Sequence, residues 1–212
     1  MSGKFISDWS RPNKVSLSQS IRDKLHPVAF RDRLSQTTFR LNSVRKKLEN
    51  SHLKMEQKHK TLFHKTVRAQ EAKNSTTAVM YANECAQVRK MAQSIVASQL
   101  ALEQVVLRLE TVTDFGDIAA EIGPTASIVR AVRGRLAGVV PEVSMQLGSI
   151  SQTLDSLVLE TGQATEYNWN SIASGEEAEK ILAEAGTIAE QKIRDGFPEL
   201  PSTAAEKGLR PL

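Results

Sequence analysis

Apolar side chains recur every seven residues at Leu34, Leu41, Leu48, Met55 and Leu62, with Phe30 and Val44 filling part of the adjacent stripe. The positions between them are mostly polar or charged, so the spacing predicts one narrow packing seam along a helix. The setting is long: residues 28–115 form 88 consecutive positions without a Gly or Pro, against a mean helix of about 11 to 12 residues. One interruption stands out, Lys73-Asn74-Ser75-Thr76-Thr77. Its short polar side chains compete with helical hydrogen bonds and are suited to cap the helix that follows. After it, Tyr81, Cys85, Val88, Ala92, Ile95, Leu102, Val106 and Leu109 follow at steps of three and four, interrupted by Gln99. The two arms are therefore predicted to zip into an antiparallel helical hairpin. Met80, Met91, Val96, Leu100 and Val105 widen the second arm's apolar face, so further helices or neighbouring subunits must cover it.

Downstream of Gly116 the spacing changes, and Gly123-Pro124 and Val140-Pro141 each place a proline where a helix would begin. Shorter helices are predicted within about 118–167, at roughly 124–138 and 141–167. A last helix, about 176–194, starts at Ser174/Gly175 with Glu176, Glu177 and Glu179 near its positive dipole end. Phe197-Pro198-Glu199-Leu200-Pro201 then stops it. The predicted organisation is a segment 1–12, a helical core 13–196 with the hairpin at about 28–115, and a flexible tail 197–212. Aromatics at 5%, with 11 Gly and 7 Pro, favour an all-α fold over a loop-rich β fold. No repeat of 20–50 residues suggests a solenoid.

Charge adds polarity along the chain. Residues 1–100 hold 19 Lys and Arg against 7 Asp and Glu, and the remainder holds 9 against 17. Within 22–73 the count is 14 against 5, so positive charge runs beside the packing seam. The first half should be drawn to anionic surfaces, and the acidic second half can compete for it. Cys85 is the only cysteine, which excludes an intramolecular disulfide and fits a cytoplasmic setting. No signal peptide is recognisable, and no window of about 18 to 20 residues is free of charge.

Phe5, Ile6 and Trp9 share one side of a short helical turn flanked by Lys4 and Arg11. Such a segment suits insertion into a lipid interface, each apolar side chain gaining up to about 1.5 to 3 kcal/mol when fully buried. Docking onto the protein's own hairpin is the alternative. The basic face of the first arm suits anionic lipid, each cation near such a surface contributing about 1 kcal/mol. The competing polyanion is nucleic acid, bound non-specifically by a basic coiled coil. Against it, zinc spacing, an RRM signature and stacking aromatics are missing. His52, His59 and His64 are spaced seven and five apart, unlike a metal-binding i, i+4 pair, and read as pH-dependent charge on the basic surface. Cys85 reads as a buried structural thiol. No phosphate loop or acid/base pair emerges, and neither an enzyme nor a cofactor is expected.

Met80-Tyr81-Ala82-Asn83-Glu84-Cys85-Ala86-Gln87-Val88-Arg89-Lys90-Met91 closely resembles the opening of the second long helix in archaeal ESCRT-III proteins, the CdvB group. The order of elements over residues 25–195 resembles the Snf7-type arrangement. That resemblance implies a peripheral membrane subunit that forms homopolymers, or heteropolymers with related paralogues. Such filaments would constrict and cut membrane necks in cell division, with vesicle budding a further use, at the inner face of the cell membrane. It maps lipid binding onto Lys4, Phe5, Ile6, Trp9 and Arg11 and onto Arg40, Arg45, Lys46, Lys47 and Lys54. It also implies remodelling by an AAA ATPase of the Vps4/CdvC type. Phe197, Pro198, Leu200 and Pro201 resemble the proline-containing motifs read by that ATPase's MIT domain. Nothing after residue 196 resembles the winged-helix domain of longer family members.

Overall fold

The computed structural model describes residues 27–111, 115–165 and 171–198. Among them run five helices: α1 Pro27–Glu71, α2 Ser75–Thr111, α3 Phe115–Leu136, α4 Pro141–Thr165 and α5 Ser171–Gly196. The fold is all-α, a long antiparallel hairpin of α1 and α2 followed by shorter helices. With 45 residues, α1 reaches about 68 Å at ~1.5 Å per residue.

The arms reverse where the short polar side chains predict. The Asn74 N–H donates to the Ala69 carbonyl and the Lys73 N–H to the Gln70 carbonyl, both at 2.9 Å, closing the end of α1. Lys73 sits at φ 56°, a left-handed position more often held by glycine. Asn74 then caps α2, its side-chain oxygen accepting the Thr77 N–H at 3.1 Å.

The α1 seam buries Phe30, Leu34, Leu41, Val44, Leu48 and Leu62 as the heptad pattern predicts, with Met55 half-buried. Beside Phe30 and Val44 its second row is polar: Thr37, His52, His59 and Thr66 complete the inward positions. The threonines are accommodated because Thr37 and Thr66 donate their hydroxyls to the Arg33 and Leu62 carbonyls one turn back, at 2.7 and 2.9 Å. Inward steps alternate between three and four residues except at Val44, Leu48 and His52, where two four-residue steps follow each other. Such a shift compensates the drift of a straight helix against a strict heptad.

On α2, Cys85, Val88, Ala92, Ile95, Leu102, Val106 and Leu109 are buried and Tyr81 is half-buried. The wider apolar face is covered within the chain. Val105 joins a core with Ile122, Val129 and Leu147, while Val96 packs with Ala189, Ile193 and Phe197 of the last helical segment. Met80 remains exposed.

Two predicted starts are corrected. Gly123-Pro124 does not open a helix: α3 begins at Phe115 and carries Pro124 inside. Burial of Ile122, Ala126, Ile128, Val129 and Val132 on both sides of that proline outweighs the local preference. The last helix begins at Ser171 rather than near Glu176, so its first turn holds no acidic residue. Glu177 is placed by an ion pair with Arg108 of α2, at 2.6 Å, rather than by the helix dipole. The start of α4 at Pro141 agrees with the sequence.

Candidate functional site

Arg33, Arg40, Lys47 and Lys54 follow one another at intervals of seven in α1, and Lys58, Lys65 and Arg68 continue the same side of the helix. This cationic row flanks the seam. Its first half is covered by α4, which runs antiparallel to α1. Arg33 meets Glu160 at 2.5 Å and Ser156 at 2.7 Å. Further along, Arg40 donates to the Ser149 hydroxyl at 2.5 Å and Lys47 to Glu142 at 3.0 Å. Because α4 begins at Pro141, just beyond Glu142, the rest of the row is left uncovered.

Lys54, Lys58 and Arg68 are exposed and make no ion pair among the described residues. Lys65 is also exposed, its ammonium lying 5.6 Å from the centre of the Tyr81 ring. At this end of the hairpin the core is made by α1 and α2 alone, from Leu62, Cys85 and Val88 with Met55, Phe63 and Tyr81 packed on them. Residues 54–73 carry six Lys and Arg against two Glu, and Lys90 of α2 adds another exposed cation.

The lipid-binding residues expected on α1 therefore divide. Lys46 and Lys54 are exposed, whereas Arg45 forms an ion pair with Glu103 of α2 at 2.8 Å and Arg40 and Lys47 face α4. Lys58, Lys65 and Arg68 are members of the row that the sequence reading did not single out. Their steps of four, seven and three residues from the preceding cations, which keep them on one helix face, were the available signal. Lys4, Phe5, Ile6, Trp9 and Arg11 lie outside the described residues, as do Leu200 and Pro201.

Of the motif at the end of α5, Pro198 is exposed, whereas Phe197 is 2% exposed and seated against α1 and α2. Its ring lies 4.7 Å from that of His59, edge to face, and 6.2 Å from that of His52. Here the histidine reading needs correction: His59 is buried and His52 half-buried, and only His64 is exposed on the basic surface. Burial pushes the protonation of His52 and His59 below the usual histidine range. Cys85 is a buried thiol, its proton held more tightly through burial. The described residues contain no group of three or more His, Cys, Asp or Glu able to hold a metal. No described helix is long and apolar enough to cross a membrane.

Over 202 residues the chain is 37% identical to cell division protein B1 of Sulfolobus acidocaldarius, covering 95% of this chain and 92% of that protein. It belongs to the archaeal ESCRT-III-like CdvB family. A second CdvB-family relative, cell division protein B of the same organism, is 29% identical over 202 residues, or 95% of this chain and 72% of the relative. No family model and no solved structure matches. The extended hairpin is thus the framework of a CdvB-family protein, and the cationic row is the feature its helices set on one side.

Proposed function

We propose that this chain is a non-catalytic, membrane-binding subunit of a cell-division filament, applying the row from Arg33 to Arg68 to anionic lipid. Family membership supports the division role, and the observation carrying the lipid reading is the uncovered half of the row. Four exposed cations, Lys54, Lys58, Lys65 and Arg68, stand on one helix face, and each is worth about 1 kcal/mol near an anionic bilayer. The contacts holding Arg33 and Lys47 are partly exposed ion pairs, typically worth about 0 to 1 kcal/mol each. Lipid phosphates can replace them at little cost, lengthening the applied surface.

In this reading the segment 1–12 adds an anchor through Phe5, Ile6 and Trp9, with Lys4 and Arg11 at the headgroups. Copies of the chain, and related paralogues, assemble side by side into filaments that constrict the membrane at the division site. An AAA ATPase of the Vps4/CdvC type remodels them, its MIT domain reading Phe197, Pro198, Leu200 and Pro201. The burial of Phe197 makes that reading conditional on α5 leaving the hairpin. Such release also uncovers Ala92, Val96 and Ala97 of α2 for a neighbouring copy.

Electron microscopy on anionic vesicles tests this order of events. A chain lacking residues 170–212 is expected to form filaments at a lower protein concentration than the full chain, and further loss of residues 1–12 to reduce their membrane attachment. Equal assembly with and without 170–212 contradicts the release step, and filaments that ignore the vesicles contradict the membrane role.

A further inference from the structure

Phe197 closes a small apolar cluster in which Ala92, Val96 and Ala97 of α2 meet Ala189 and Ile193 of α5. The floor on the α1 side is imidazole, His59 at 4.7 Å and His52 at 6.2 Å between ring centres. Both Nδ1 atoms are buried and have no hydrogen-bond partner among the described residues. A neutral histidine with its proton on Nε2 tolerates that seat, whereas an imidazolium must place an N–H donor without an acceptor, and a charge, at the buried Nδ1. We propose that His52 and His59 form a proton-operated seat for Phe197, so that their protonation releases the end of α5 from the hairpin.

The neighbouring charges favour this direction at His59 and are divided at His52. His59 faces Arg89 of α2 and His52 faces Lys192 of α5, and both cations oppose a further positive charge. Glu56, one turn along α1, opposes this direction at His52 more strongly than Lys192 supports it. It is already engaged by Lys60 at 2.7 Å, which limits its attraction. The Phe197 ring offers an imidazolium some attraction through its π face. Burial is nonetheless the largest influence on each histidine, and the net displacement is downward for both.

Linkage sets the pH window. With α5 docked, both histidines bind protons less readily than the ordinary histidine value of 6.5. Docking is therefore at full strength above that value and weakens as pH falls through it towards the lower, docked values. The docking equilibrium changes by up to about tenfold per pH unit for each histidine, and by about a hundredfold for the pair. The seat needs neither membrane nor filament, so it stands or falls separately from the lipid reading.

Hydrogen exchange of the full chain between about pH 5 and 8, with each rate divided by the intrinsic rate at that pH, tests the seat. Protection from Ala178 to Ile193 is expected to fall below pH 6.5 while Leu41 to Leu48 stays protected. The His52→Gln/His59→Gln variant should show no such pH dependence, and Phe197→Ala should lower α5 protection at every pH. Constant wild-type protection of α5, or an unchanged pH dependence in the double variant, overturns the proposal. Histidine titration by NMR in the wild type decides it even where the variant does not fold. Both rings titrating at or above 6.5 with α5 still docked contradicts the seat.

Discussion

Replacing Lys54, Lys58, Lys65 and Arg68 together by glutamine is expected to weaken binding to anionic vesicles by roughly three orders of magnitude. The figure follows from about 1 kcal/mol for each cation brought near an anionic surface, the four acting on one rigid helix. All four side chains are exposed, so the substitution should leave the unfolding midpoint almost unmoved. The matched control replaces Arg33, Arg40 and Lys47, which belong to the same row but face α4. Their loss removes contacts with α4 before it removes any exposed charge. Binding measured by vesicle sedimentation is expected to fall far less than in the first variant, by about one order of magnitude or less. An equal loss in both sets contradicts the division of the row into covered and uncovered halves.

Leu102→Ala is expected to destabilise the fold by about 2 to 5 kcal/mol, the usual range for a buried leucine truncated to alanine. Leu102 is fully buried where α2 meets both α1 and the later helices. A truncation there leaves a cavity that long, mutually braced helices cannot easily collapse. Phe39, on the outer side of α1, is 75% exposed. Its replacement by alanine is expected to change stability by no more than about 0.5 kcal/mol. Denaturant unfolding of the two variants measures both. A Phe39 variant as unstable as the Leu102 variant contradicts the assignment of the faces of α1.

The hairpin was legible because its determinants are local. A seven-residue repeat, 88 positions without Gly or Pro and a short polar break specify two arms with little help from the rest of the chain. Asn74 caps α2 within the break that its residue type marks. The polar half of the seam was not legible, since Thr37, His52, His59 and Thr66 look like surface residues in sequence. The threonines are satisfied by their own helix, whereas the histidines pack against Phe197, which arrives from more than a hundred residues away. Pro124 misled for a related reason, its local preference being overruled by burial of Ile122 and Ala126 on either side.

The candidate site was legible in part. Arg40, Lys47 and Lys54 stand at heptad spacing, and the excess of cations in 22–73 is plain in composition. Which of them are covered depends on where α4 begins against α1, and no local pattern encodes that register. Arg45 shows the same limit: it sits among Lys46 and Lys47 in sequence yet faces Glu103 on the opposite flank. Neutralisation of the covered cations is therefore a tertiary property, and the row as a whole is a sequence property.

Co-sedimentation of the full chain with anionic and neutral vesicles over a salt series, with duplex DNA as competitor, tests the central claim most directly. The account predicts binding to anionic vesicles that declines steeply with salt, persists in the presence of DNA and is weak on neutral lipid. Equal binding to neutral and anionic vesicles, or transfer of the protein from vesicles to DNA, would contradict it.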